Sequence, residues 1–106
     1  MALESEFRSR LIEDLHDLFP ECIVVINNPN YIQGFPDILI LFEDMWAALE
    51  TKKESNSSHR PNQDYYVDML NQMSYASFVN PENKERVLDE LQQAFRSRRT
   101  TRLPRR

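Results

Sequence analysis

Three residues of this sequence have the types and spacing to do chemistry: Asp37, Glu50 and Lys52. They bracket two apolar runs, Ile38-Leu39-Ile40-Leu41-Phe42 and Trp46-Ala47-Ala48-Leu49, with Glu43-Asp44-Met45 between them. Runs so close together predict an antiparallel hairpin. A turn of two or three residues sets Asp37 opposite Glu50, Thr51 or Lys52, whichever turn is used. Glu50 and Lys52 lie two apart and share a face. Two carboxylates and an ammonium therefore meet at the end of an apolar hairpin, where unpaired burial is costly.

Adjacent carboxylates repel unless something neutralises them. A hard divalent cation does so: Mg²⁺ takes oxygen ligands, commonly one or two carboxylates with several waters. Such an ion polarises a phosphodiester and acidifies a bound water. A lysine beside it orients that water or stabilises developing charge. Thr51, between Glu50 and Lys52, is expected to point away, which leaves only its backbone carbonyl for a metal. The plainer reading of the same three side chains is an ion pair at a strand end. No Ser/His/Asp or Cys/His arrangement suited to nucleophilic catalysis stands out.

The elements that must position these groups follow from periodicity. Phe7, Leu11, Leu15 and Leu18 recur at helical spacing, with Ile12 and Phe19 widening the stripe, and predict a helix over 3–19 that Pro20 stops. Glu6, Arg10, Glu13 and Asp17 fall on its solvated side. Residues 22–26, Cys22 followed by four β-branched residues, predict a strand, followed by a turn cluster and a loop to Gly34. The apolar run 38–42 suits a strand covered on both faces, and 46–52 is its return. Residues 53–62 read as a mobile loop. Pro61 opens a helix to about Met73, with Tyr66, Met69, Leu70 and Met73 on one face. A short strand at 75–79 follows. Asn80 caps a last helix opened by Pro81, with Val87, Leu88, Leu91 and Phe95 inward. The order is α-β-β-β-α-β-α, an α/β fold with a mixed central sheet flanked by helices in three layers.

The remaining bounds are set by composition. The 106 residues fit one domain. No apolar run approaches the roughly 20 residues of a membrane span, and the acidic start lacks the pattern of a signal peptide. The single cysteine, Cys22, excludes an internal disulfide and points to a cytoplasmic, reducing location. The single glycine, Gly34, excludes a glycine-rich phosphate loop and hence a nucleotide cofactor held that way. Residues 96–106 hold six arginines and no acid, which leaves 7 of the 13 bases against 17 acids in residues 1–95, a net of −10. The expected organisation is a domain over 1–95 and a mobile basic tail over 96–106. The plainer reading of the tail is a solvated, frayed terminus.

Pro36-Asp37, twelve residues and then Glu50-Thr51-Lys52 together resemble the PD-(D/E)xK nuclease signature. Ile32-Gln33-Gly34-Phe35-Pro36-Asp37 resembles the G-x-PD segment of its VRR-NUC branch. Arg60-Pro61-Asn62-Gln63-Asp64-Tyr65-Tyr66 resembles that branch's glutamine-bearing helix. The resemblance covers roughly residues 4 to 95, includes the element order, and is to the small single-domain phage form. It implies a restriction-endonuclease-like fold and Mg²⁺- or Mn²⁺-dependent hydrolysis of DNA. It also implies a homodimer, branched substrates such as Holliday junctions, and a setting in host or bacterial cytoplasm. The helix opened by Pro61 and its loop are the expected dimer contact.

The resemblance further implies an acid on the first helix near the metal. Of Glu4, Glu6 and Glu13, only Glu4 shares the stripe of Phe7 and Leu11; its plainer reading is a first-turn glutamate favoured by the helix dipole. The expected metal set is Asp37, Glu50, the Thr51 carbonyl and Glu4, with Lys52 assisting the attacking water. Gln63 is expected to donate to a phosphate or to hold Lys52, and Arg60, Arg96, Arg98 and Arg99 are expected to contact DNA. The competing function is a nuclease-like fold that binds DNA or a protein without cutting. His16 reads as a boundary residue, His59 as a solvated loop residue and Trp46 as packing. Tyr65, Tyr66 and Tyr75 could stack on bases.

Overall fold

The computed structural model describes residues 4–27 and 32–102, with side chains through residue 98. Its elements run α1 (Glu4–Leu18), β1 (Ile23–Ile26), β2 (Ile38–Phe42), β3 (Met45–Thr51), α2 (Pro61–Met73), β4 (Tyr75–Val79) and α3 (Lys84–Arg102). The sheet order is β1-β2-β3-β4. The β1–β2 and β2–β3 pairs are antiparallel, whereas β3–β4 is parallel and is crossed over by α2. The result is a mixed sheet between two helical layers.

The main core lies on one sheet face. There Phe7, Leu11 and Leu15 of α1 and Val87, Leu88, Leu91 and Phe95 of α3 pack on Ile38, Ile40, Ala47 and Leu49. The opposite face is smaller. Val67 and Leu70 of α2 cover Ala48 and Ala76, with Phe35, Leu39, Trp46 and Phe78 at its margin. Each fully buried Leu or Ile contributes about 1.5–3 kcal/mol. No helix among the described residues is long and apolar enough to cross a membrane.

The structure adjusts several expected positions. Leu18 ends α1 at 37% exposure and does not join the buried stripe of Phe7, Leu11 and Leu15. The first strand starts at Ile23; Cys22 precedes it and is buried in the main core. Leu41 is also 37% exposed, because α2 covers β3 and β4 and leaves the far part of β2 open on that face. Met73, at 59% exposure, does not join the buried stripe of α2, which runs through Val67 and Leu70; the chain turns at Ser74 into β4 first. Asn80 accepts from the N–H groups of Glu82 and Asn83, so it caps the turn after β4, and α3 proper begins at Lys84. That helix continues to Arg102, so the expected boundary after residue 95 falls inside α3.

Two backbone features aim the hairpin end. The β2–β3 register pairs Phe42 with Met45 and Ile38 with Leu49, which sets Asp37 opposite Glu50. Glu43, at φ 58°, takes the left-handed conformation that closes this two-residue turn. Gly34, at φ +88°, lets its segment approach the start of α2: a Cβ there would lie 2.4 Å from the Cβ of Asn62. The absence of a side chain permits this contact.

Candidate active site

Asp37 leads into β2 and is fixed from both sides. Its carbonyl accepts from the Asn27 N–H at 2.9 Å, and the Asn27 amide donates to the Pro36 carbonyl at 2.7 Å. Its own N–H donates to Glu50 Oε1 at 3.1 Å. The carboxylate accepts two bonds from Thr51, from N–H to Oδ1 at 3.0 Å and from the hydroxyl to Oδ2 at 2.6 Å. The expectation that Thr51 points away is therefore corrected. Strand alternation does turn Thr51 from Glu50, but Asp37 lies just outside β2 and its side chain reaches across to the fully buried hydroxyl.

Glu50 is buried near the end of β3. Burial pushes its carboxyl up to about 7, and the neighbouring Asp37 charge adds to the rise. Lys52 and the Asp37 N–H oppose it, while Glu4 adds a smaller upward effect. Lys52 Nζ lies 4.0 Å from Glu50 Oε2. That ammonium also donates to the Ser58 carbonyl at 3.0 Å and to Gln63 Oε1 at 2.8 Å.

Gln63 ties the site to α2. Its Oε1 accepts from Lys52 and, at 3.1 Å, from the Arg60 N–H, while its Nε2 donates to Glu50 Oε2 at 3.0 Å. Of the two roles expected for Gln63, holding Lys52 is the contact present. Pro61 at the first helical position suits this start, since it has no N–H to leave unpaired.

These groups line a cleft of about 610 Å³, which also includes Glu4, Arg8, Arg60 and Gly34. Glu4 is half-buried, as its place on the stripe of α1 predicts, whereas Glu6 and Glu13 are exposed. Sequence reasoning missed Arg8. Its Nη1 donates to Asp37 Oδ2 at 3.3 Å. The signal available was its spacing, one helical turn after Glu4. A larger, shallower groove of about 730 Å³ between α2 and β4 includes Asp64, Asp68 and Arg86 but none of the hairpin groups.

The basic end of α3 lies elsewhere. Arg98 donates to the Met73 carbonyl at 3.1 Å, at the C-terminus of α2. Arg96 lies beside Phe19, Phe42 and Phe95, at the turn end of the hairpin and opposite the Asp37 end. The structure therefore does not bring Arg96 or Arg98 to the cleft. The side chain of Arg99 and the residues beyond 102 lie outside the described residues. His59, expected in a solvated loop, stacks on Phe78 at 3.8 Å and bonds Asp64 at 3.0 Å.

The donor chemistry fits a hard cation. The Asp37 charge adds to the raised Glu50 carboxyl at this cleft, a repulsion that a divalent ion would relieve. Among the described residues no three His, Cys, Asp or Glu side chains form a ready cage.

No family model matches the sequence, and no curated protein matches it. Among solved structures, one described as a "VRR_NUC domain protein" superposes with a TM-score of 0.65. The match covers 91% of this chain and 91% of that one at 20% identity. The likeness is one of fold: a VRR-NUC-like nuclease fold of the restriction-endonuclease-like type, as the motif resemblance implies.

Proposed function

We propose that this chain is a metal-dependent DNA endonuclease that hydrolyses phosphodiester bonds. The observation that carries this reading is the facing pair Asp37 and Glu50 with Lys52 and Gln63 bonded around it, at one end of a nuclease-like sheet. Asp37, Glu50 and the Thr51 carbonyl would hold Mg²⁺ or Mn²⁺, with Glu4 supporting from α1. When bound, that ion supplies an acidified water and neutralises charge on the scissile phosphate.

The chain's own groups do the rest. Thr51 orients Asp37, and Gln63 orients Glu50 and Lys52 together. The Lys52 ammonium has three N–H groups and uses two on Ser58 and Gln63, which leaves one for the attacking water or a phosphate oxygen. Exposed Arg60 lines the cleft and is available to a phosphate backbone there.

The finer reading is a homodimer that cuts branched DNA in host or bacterial cytoplasm. Cutting both strands of a junction needs two sites, most simply related by a two-fold axis. Exposed Tyr65 and Met73 on α2 are compatible with a contact there. Incubation of the protein and Mg²⁺ with linear, nicked, flapped and four-way DNA tests this. Preferential cutting of four-way DNA by a species of dimer mass supports the finer reading. Equal nicking of all four by a strict monomer supports the endonuclease alone.

A further inference from the structure

The geometry points to Arg8 as a resident counter-ion of the metal site: its guanidinium neutralises Asp37 in the metal-free protein and is released to a nucleic-acid phosphate when a divalent cation takes its place. This rests on the nuclease reading above and adds a residue and a step that the motif does not contain.

Among the described residues, Arg8 makes the one ion pair to Asp37, because Lys52 is turned to Glu50. The partners of Asp37 differ in how firmly they are held. The N–H and hydroxyl of Thr51 are fixed at the end of β3 and fully buried. Arg8 sits on a long side chain 31% exposed, against 19% for Asp37. Its 3.3 Å separation is longer than the roughly 2.7–2.9 Å of a strong charge-assisted bond. The Asp37 oxygen that Arg8 shares with Thr51 has two lone pairs and both are engaged. A cation drawn to that oxygen meets Arg8 first, and two positive charges repel there.

Displaced, Arg8 stays in the cleft, one helical turn from Glu4 and in the same lining as Arg60. The body carries many more acids than bases, and Arg96 and Arg98 lie at the far end of the molecule. Arg8 is thus one of the few cleft cations that a phosphate could meet. Its pairing with Asp37 stores that charge at the site.

Calorimetric titration of the full chain with Mn²⁺ alone tests the first half. Arg8→Met should bind Mn²⁺ on the order of tenfold tighter than the unaltered protein at low salt. Metal-free Arg8→Met should melt at a lower temperature, and saturating Mn²⁺ should close that gap. For the second half, duplex DNA binding is followed with Ca²⁺ in place of Mn²⁺. The slope of log affinity against log salt should fall by about 0.9 in Arg8→Met, the change expected when one phosphate is no longer neutralised. Arg8→Lys should keep that slope. Mn²⁺ binding by the unaltered protein with no tightening in Arg8→Met would overturn the role of Arg8 and leave the nuclease reading intact. No Mn²⁺ binding by either protein would overturn both.

Discussion

Thr51 clamps the Asp37 carboxylate with two donors, its N–H on Oδ1 at 3.0 Å and its hydroxyl on Oδ2 at 2.6 Å. The clamp fixes the plane of that carboxylate, so the direction in which it can offer an oxygen to a metal is set by a residue that itself offers no carboxylate. Thr51→Val keeps the shape and removes one charge-assisted bond, worth about 1.5–3 kcal/mol. DNA cleavage should fall at least tenfold and Mn²⁺ affinity should weaken, with the circular dichroism spectrum unchanged. Thr51→Ser should restore most of both. Full activity in Thr51→Val would show that Asp37 needs no such clamp.

Gln63 should behave as a positioning residue. Gln63→Leu removes the bridge between Lys52 and Glu50 and leaves both charges with one partner fewer. A drop in kcat at unchanged KM for DNA is expected, because the lysine and the carboxylate lose their alignment while substrate binding elsewhere remains. A rise in KM alone would assign Gln63 to phosphate binding instead.

The raised Glu50 carboxyl sets a pH dependence. Its folded value of about 7 lies above the ordinary 4.5, so the folded state holds this proton more tightly than the unfolded chain. The contribution of this group is therefore most favourable below pH 4.5 and declines as pH rises towards 7, by up to about 3 kcal/mol without metal. Glu50→Gln should lose that decline, and the difference between the two stability–pH curves isolates it. Mn²⁺ affinity should rise with pH up to about 7 and then level off, because below that point the metal must displace a proton. Parallel stability curves for the two proteins would contradict the assignment.

The hairpin is readable from the sequence because each short turn brings Asp37 near Glu50, so an error of one residue in the register does not separate them. The stripe of Phe7 and Leu11 likewise places Glu4 at the cleft and Glu6 and Glu13 outside it. The Thr51 clamp is hidden because alternation along β3 says where Thr51 points but not where Asp37, one residue outside β2, can reach. Arg8 is hidden for a similar reason: a helix face is legible, but a long side chain crossing to another element is not. The end of α3 escapes the pattern because its basic stretch lacks an apolar stripe after Phe95. Its hydrogen bond from Arg98 to the C-terminus of α2 depends on tertiary structure that periodicity does not encode.

Cleavage of supercoiled DNA by the purified protein is the most direct measurement of the central claim. With Mg²⁺ or Mn²⁺ the protein should nick and then linearise the plasmid, and excess chelator should stop it. Asp37→Asn, Glu50→Gln and Lys52→Ala should each lose at least a hundredfold in rate while retaining the cooperative melting of the unaltered protein. The two carboxylate variants should also weaken Mn²⁺ binding, whereas Lys52→Ala should leave it nearly unchanged. Cleavage that persists in excess chelator, or that survives loss of Asp37 and Glu50, would contradict the account.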